Sequence, residues 1–517
     1  MSEPIVRIFD NPILIAQARR RLRPAQLVSS GLIAGLLGLC GVLLSVVAKG
    51  SKDGFSTLEV VLLFGIGVVL LLRGSNRVAE AVREERESGL LDFHRATPTT
   101  PWTDALGYLL GCPAREHLIA AVLAVFALGS APMSKYGLPV IAGALLTLWL
   151  CALLYHGFAL WIGLLVAHRR GASGIVIGTL VTLLLAGWSI RGVGAVGYFT
   201  PYPAIAQLLG IVDAAEGGVT FYGVPLHALV LTLLVQGSML FAIGHAVVRK
   251  LRQDDATSFS RLGTLYLFGW ISFLSLGAVW QWVAPAAQSA IAAKPSTDSL
   301  LLGGYVSVGT LIAAALLFGQ VPSYLMLLRA LRRGRRLGTA ELSWLDEGGR
   351  CEPLTLGLWV LIIAGLFVLS RAMGPRLTGA LLGQTVVLVV ASVLAYLLFV
   401  QSASEYVRFR HRGATQAVGV FVFFASHILP WLLSLVFGGV KSSAGPFVAA
   451  LSPLYAVGGA ASNLSQDWLG QVGARVSADS LYVSLAATLV LSGFFFFESR
   501  RSQRALARQI AQSGKTP

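Results

Sequence analysis

The sequence predicts an all-α polytopic membrane protein, with about twelve transmembrane helices arranged as two six-span halves. Three observations lead there. Hydrophobic residues make up 55% of the 517 residues and charged residues only 12%, whereas a soluble domain carries about 25% charged residues. Apolar runs near the length needed to cross about 30 Å of hydrocarbon recur along the chain. Basic residues then alternate in density from one inter-span segment to the next. The runs lack the alternation of barrel strands, and backbone groups in lipid must bond within the segment, so the spans are helices. A soluble enzyme, a disordered chain and a disulfide scaffold are excluded as whole-chain descriptions.

The N-terminal segment comes first. Asp10 is the expected N-cap of an interfacial helix over 10–23, with Asn11 and then Pro12, where a missing N–H costs nothing. Leu14, Ile15, Ala18 and Leu22 fall on one face, and Arg19, Arg20 and Arg21 cover much of the rest. Such a helix lies in the interface with its arginines at headgroup level.

Spans are then expected near 26–48, 55–72, 117–133, 139–167, 172–190, 225–247, 262–283, 299–328, 354–370, 377–402, 416–439 and 480–497. With the N-terminus inside, the cytoplasmic segments hold 31 of the 40 Lys and Arg and the outside loops hold 9. The outside set is Lys49, Lys52, Lys135, Arg191, Lys294, Arg371, Arg376, Lys441 and Arg475. That bias places both termini in the cytoplasm of a cell with an inner or plasma membrane. It also explains the net charge of +16 without nucleic acid, since no basic soluble domain exists to bind one. Cys40, Cys112, Cys151 and Cys351 form no CxxC pair, so neither a metal knuckle nor a disulfide framework is expected.

The division into halves falls at 252/253. His168-Arg169-Arg170-Gly171-Ala172-Ser173 is echoed 242 residues later by Arg410-His411-Arg412-Gly413-Ala414-Thr415. Each half has a long cytoplasmic loop between its second and third spans, at 73–116 and 329–353, and the second ends in a basic tail at 498–517. Each also has an apolar, proline-containing stretch before its sixth span, at 198–212 and 446–463. These stretches read as too short and too broken to span. An exit gate at Pro201, Tyr202, Pro203, Pro453 and Tyr455 and a loop resting on the outer leaflet fit them equally well. Internal repeats of equal topology are parallel repeats.

The loop after the second span carries the most specific pattern. It contains Glu87-Ser88-Gly89-Leu90-Leu91-Asp92-Phe93, then Thr97-Pro98. Asn76 to Arg95 is rich in charges and helix formers, and Pro98 and Pro101 are expected to stop any helix. The order of Glu87, Gly89, Leu91 or Asp92, Thr97 and Pro98 resembles the cytoplasmic loop of ATP-binding-cassette type-2 export permeases, with Leu90 departing from that family's usual Thr. The resemblance covers about 1–250 by motif and 256–500 by layout alone. It implies a cytoplasmic coupling helix in which Glu87, Gly89, Leu91, Asp92, Phe93, Thr97 and Pro98 dock a separate ATPase subunit. In the second half Gly338, Glu341 and Leu342 echo this at an offset of 249, with no Thr-Pro after them.

ATP hydrolysis is expected on the partner, with no cofactor bound by this chain. The phosphate-cradling GxxxxGK[ST] pattern is absent; Gly514-Lys515-Thr516 resembles its end, but Gln509 stands where the first Gly belongs. A second chain is expected only if the two halves are not equivalent, in which case the protein dimerises. Two other functions compete. An ion-coupled carrier needs acidic or His residues within spans, for which Glu59, His156, His227, His245, Glu405 and His427 are the candidates. A lipid-processing enzyme needs paired carboxylates at the outer face, where only Asp53 with Glu59, or Asp213 with Glu216, offer themselves. Trp149, Trp161, Trp188, Trp270 and Trp280 suit an interfacial belt better than a substrate path.

Overall fold

The structure, a computed structural model, describes residues 11–48, 52–96, 99–165, 194–210, 219–253, 256–283, 296–321, 324–336, 351–372, 384–410, 422–436, 448–469 and 476–513. They form two compact units, Met1–Asp254 and Asp255–Pro517.

In the first unit α1 (Pro12–Arg21) leads into α2 (Pro24–Ala48), α3 (Lys52–Gly67), a π-helical turn at Val68–Gly74 and α4 (Ser75–Ser88). Then come α5 (Leu90–Ala96), α6 (Pro101–Gly111), α7 (Ala114–Ser130), α8 (Leu138–Leu165) and the short α9 (Tyr202–Leu208). A hairpin of β1 (Val219–Phe221) and β2 (Val224–Leu226) precedes α10 (Ala228–Arg252). The strands pair antiparallel with Phe221 opposite Val224, around a two-residue turn. This hairpin is the one described departure from the all-α expectation. It occupies the start of the span expected at 225–247, and α10 begins only after His227, whose Nδ1 accepts from the Leu229 N–H.

The second unit contains α11 (Arg261–Val283), α12 (Ser296–Gln320), α13 (Tyr324–Arg336), α14 (Glu352–Ala372) and α15 (Gln384–Arg410). A π-helical turn at Phe424–Ile428 opens into α16 (Leu429–Val436), followed by α17 (Pro453–Leu469) and α18 (Ala478–Ser513).

Eight described helices are long and apolar enough to cross a membrane. They match the first four expected spans and the sixth, ninth, tenth and twelfth. Their large apolar side chains face outward, as Leu37, Leu44, Val47 and Phe64 do, which lipid tolerates and water does not. The span expected at 172–190 lies outside the described residues. So do Trp188, Asp213 and Glu216.

Three sequence expectations are corrected. First, the α1 N-cap is Asn11, whose Oδ1 accepts from the N–H groups of Ile13 and Leu14 at 3.0 and 3.2 Å. A cap must sit next to N1, and Pro12 is N1. The buried face is Ile13 and Gln17, packed on α6, while Leu14, Ile15, Ala18 and Leu22 are only half-buried.

Second, the segment after the second span is not a loop at its start. Lys52–Ser88 runs as one 37-residue helical stretch. Helix formers and the pairs Arg77–Glu80 and Arg83–Glu87 on adjacent turns carry it past the apolar span. Third, Pro101 does not stop a helix but starts one: Thr100 caps α6 by accepting from the Thr103 N–H, and Pro101 occupies N1. Within the stretch expected at 446–463 the chain turns at 450–452 before its next helix. Pro453 opens a 17-residue helix packed against α12, α15 and α18, its small residues Gly459, Ala460 and Ala461 lowering hydropathy while permitting close approach.

Candidate functional site

The segment that the sequence pattern singles out in the first unit is built at the polar end of the 52–88 helix. Gly89 ends α4 in the left-handed conformation, at φ 76°. A residue with a Cβ adopts that conformation only at a cost, so glycine belongs here. The chain turns, and the N–H groups of Asp92 and Phe93 bond to the Gly89 carbonyl to open α5. Leu91 turns inward and is buried, so it anchors the segment. Glu87, Gly89, Leu90 and Asp92 are exposed, and Phe93 is 64% exposed beside them. Asp92 Oδ1 accepts from Arg95 Nη1 at 2.6 Å. Thr97 and Pro98 lie outside the described residues, as do Gly338, Glu341 and Leu342 of the second unit.

Two arginines tie this segment to the ends of spans. Arg86 Nη1 donates to the Leu164 carbonyl at the C-terminus of α8. Arg95 donates to the Leu251 and Lys250 carbonyls at the C-terminus of α10, at 3.0 and 3.2 Å. The last carbonyls of a helix have no intrahelical partner, and a guanidinium there satisfies both the hydrogen bond and the negative end of the dipole.

Beneath the segment lies a buried polar hub. Glu85 of α4 is 5% exposed. Its Oε1 accepts from Gln17 Nε2 of α1 at 2.5 Å. Its Oε2 accepts from the Tyr108 hydroxyl of α6 and lies 3.5 Å from His94 Nε2 of α5. Four helices meet at one carboxylate. Asp104, on α6, is buried too, and Asn11 Nδ2 donates to the Thr103 carbonyl beside it. Burial raises the Asp104 carboxyl above its usual value; the Thr99 hydrogen bond and His94 oppose the shift, and Glu85 adds to it. Burial first, and then the Glu85 carboxylate, push the Tyr108 phenol upward, so it remains a hydrogen-bond donor.

Sequence reasoning found the exposed face and missed the hub. Gln17, Glu85, His94 and Tyr108 come together only through the fold. A faint sign existed: Gln17 shares a helix face with Ile13, where a polar residue needs a buried partner.

The other predicted residues are scattered. Pro201 and Tyr202 open α9, and Tyr202 and Pro203 are half-buried. Pro453 is buried at the start of α17, and Tyr455 Oη lies 3.5 Å from Ser480 Oγ of α18. Glu59 is fully buried, and its Oε1 accepts from the Ser130 hydroxyl at 2.6 Å. His156 is also fully buried. Its Nε2 lies 3.0 Å from the Leu70 carbonyl, within the π-helical turn that loosens the helical ladder there. A Cβ on Gly74 would stand 2.5 Å from that same nitrogen, so the turn accepts only glycine. Glu405 Oε1 accepts from Gln401 Nε2 and its Oε2 from Ser499 Oγ, at 3.1 and 3.2 Å. His427 is buried against Tyr396, and His245 is exposed. Glu59, His156, Glu405 and His427 are thus packed inside their units. Among the described residues no group of His, Cys, Asp and Glu is placed to hold a metal.

No family model, curated protein or solved structure matches the chain.

Proposed function

We propose that the chain is the transmembrane permease of an ATP-driven exporter of the ATP-binding-cassette type-2 kind. It docks a separate ATPase through 76–104, with both termini cytoplasmic and twelve spans in two halves lining the substrate path. One observation carries this reading: the exposed patch of Glu87, Leu90, Asp92 and Phe93 is fastened to the ends of α8 and α10 by Arg86 and Arg95, and to α1 and α6 through Glu85. A push on that patch reaches four helices through hydrogen bonds, which is what a soluble motor needs of its membrane partner. The exposed Phe93 is an aromatic anchor ringed by charge, the composition of a binding hot spot.

The test is purification of the tagged chain from its native membrane in mild detergent, with mass spectrometry of what remains bound. A stoichiometric ATPase is expected with the wild-type chain. Phe93→Ala and Asp92→Arg should lose it without lowering the thermal midpoint, because both side chains are exposed. A folded, monodisperse preparation that carries no ATPase overturns the proposal.

The ion-coupled carrier is the second reading. It is favoured by Glu59, a fully buried carboxylate inside a span whose Oε2 has no hydrogen-bond partner among the described residues. Transport abolished by Glu59→Gln under an imposed proton or sodium gradient, with no ATPase present, would establish it instead.

A further inference from the structure

A cavity of about 270 Å³ opens where α1, α2, α4 and α7 meet, and its walls are arginine. Arg20 and Arg21 come from the end of α1, Arg23 from the link to α2, Arg77 from α4 and Arg115 from the first turn of α7. Gln26 and Glu116 complete the lining. Five guanidiniums therefore face one carboxylate across a space near the lower end of ligand pockets, roughly 300 Å³.

The internal partners do not neutralise this charge. Glu116 Oε1 is taken by Arg73 at 3.2 Å and Arg77 at 3.9 Å. Arg77 also pairs with Glu80, and Arg20 with Glu84. Arg115 Nε donates to a neutral oxygen, Ser30 Oγ, at 2.7 Å. Arg21 and Arg23 have no carboxylate partner among the described residues. The Nε and Nη2 atoms of Arg21 are buried with no hydrogen-bond acceptor there. Buried charged donors without an acceptor are among the most unfavourable features a fold can retain.

The backbone adds to the field. The cavity is lined by the first turns of α2, through Gln26, and of α7, through Arg115 and Glu116. Helix N-termini carry partial positive charge and unsatisfied N–H groups. Arginine clusters beside helix N-termini match a tetrahedral, multiply charged oxyanion in geometry and in charge. The one carboxylate opposes an anion on its own side of the cavity, where Glu116 Oε2 is buried without a hydrogen-bond donor among the described residues.

We propose that this cavity is a phosphate-binding site, distinct from the docking patch, that holds a phosphomonoester or phosphodiester group between α1 and the starts of α2 and α7. Bound phosphate would pin the interfacial helix α1 to the spans, and Gln17 of that helix reaches the Glu85 hub. Two sources share the chemistry, an anionic lipid headgroup and a soluble phosphate compound.

The experiment uses the purified, delipidated full-length chain. Dioctanoyl phosphatidylglycerol, dioctanoyl phosphatidylcholine and inorganic phosphate are titrated in separate arms, read by native mass spectrometry and by the thermal midpoint. Four proteins are compared: wild type, Arg21→Gln, Arg23→Gln and the control Arg19→Gln, an exposed residue of α1 outside the cavity. Saturable binding of phosphatidylglycerol, weakened roughly tenfold or more in Arg21→Gln or Arg23→Gln and unchanged in Arg19→Gln, supports the site with a lipid as its source. The same variant pattern with inorganic phosphate, and no preference for the lipid, supports it with a soluble source. Arg23 is exposed, so its variant keeps the test open if Arg21→Gln fails to fold. Binding that does not saturate, that is equal for phosphatidylcholine, or that Arg19→Gln weakens as much as the cavity variants overturns the site.

Discussion

The helix after the first span of each unit ends in opposite ways. In the first unit Lys52–Ser88 passes through a π-helical turn and runs on as a polar rod, stopping at Gly89. In the second, α12 ends at Gln320, two residues before Pro322 in the sequence, and a separate amphipathic helix, α13, begins at Tyr324. No proline occurs between Lys52 and Thr97. A proline cannot donate to the ladder and disfavours helix in the residue before it. One residue type thus decides whether the polar segment is continuous with its span or a separate helix.

The fastenings differ as well. The first unit holds its segment by a buried carboxylate and two arginine caps. The second holds α13 by grease: Leu327 packs with Phe409 of α15 and Leu506 of α18, and Leu328 and Leu331 lean on the same cluster. A shared device survives in the second unit, where Arg408 donates to the Phe318 carbonyl at 2.7 Å and to the Val321 carbonyl at the end of α12. Directional hydrogen bonds transmit a displacement with fixed geometry, whereas an apolar cluster permits sliding. Under the proposed function, the first unit would carry the mechanical role.

The largest expected effect breaks the polar fastening. Glu85→Ala removes the acceptor for the Tyr108 hydroxyl and Gln17 Nε2 and leaves both buried. The expected loss is about 2–4 kcal/mol. It should appear as a lowered thermal midpoint in detergent and as new protease cleavage within 90–96. Glu85→Gln, which keeps an acceptor, should recover much of it. An unchanged midpoint in the alanine variant would remove the hub from the argument.

Next in size is the apolar fastening. Leu327→Ala opens the cluster with Phe409 and Leu506, at about 2 kcal/mol, the low end for a buried leucine because the site lies at helix ends. Here cleavage should rise within 324–336 while ATPase capture persists. If capture is lost in this variant and kept in Glu85→Ala, the two units have exchanged roles.

How much of this was legible follows the same physics. The eight long apolar helices were readable because lipid demands a run of fixed length, and run length is a one-dimensional property. The exposed patch was readable from Glu87, Gly89 and Asp92 because a surface motif is contiguous in sequence. The Glu85 hub was not, because Gln17, Glu85, His94, Asp104 and Tyr108 lie on four helices and no periodicity joins them. The continuity of α3 with α4 was hidden by composition. The charged segment read as a helix separate from the span, although Arg77–Glu80 and Arg83–Glu87 are the pairs that carry one solvated helix on from it. The arginine cavity was visible only as topology: its basic residues were counted as anchors, and their convergence required the fold.

Gly89→Ala sharpens the contrast with a smaller change. Nothing lies within 4 Å of the added Cβ, so the cost is conformational alone, from holding φ at 76°. That is about 1–2 kcal/mol. The relief available is to extend α4 and misdirect α5, which would swing Phe93 away from its present position. The expected outcome is a small fall in midpoint with a disproportionate loss of ATPase capture. Equal losses in both would mean that the turn matters for folding alone.

The smallest effect is a difference in pH dependence, and its sign follows from burial. The Asp104 carboxyl is raised above 3.8 chiefly because it is buried, with Oδ1 lacking a hydrogen-bond partner among the described residues. A folded state that holds the proton more tightly than the unfolded state is favoured while the group is protonated. Its contribution is fully present below the unfolded value and is lost as pH rises through the folded one. At neutral pH the ionised form is a cost, partly offset by Thr99 and His94. Asp104→Asn carries no such charge and keeps an acceptor for Thr99. The midpoint of the variant minus that of the wild type should therefore be smallest below about pH 3.8 and grow as pH rises to 7. Parallel midpoint profiles across that range would show that Asp104 is solvated in the folded chain, and that the hub beneath α5 is wetter than its packing indicates.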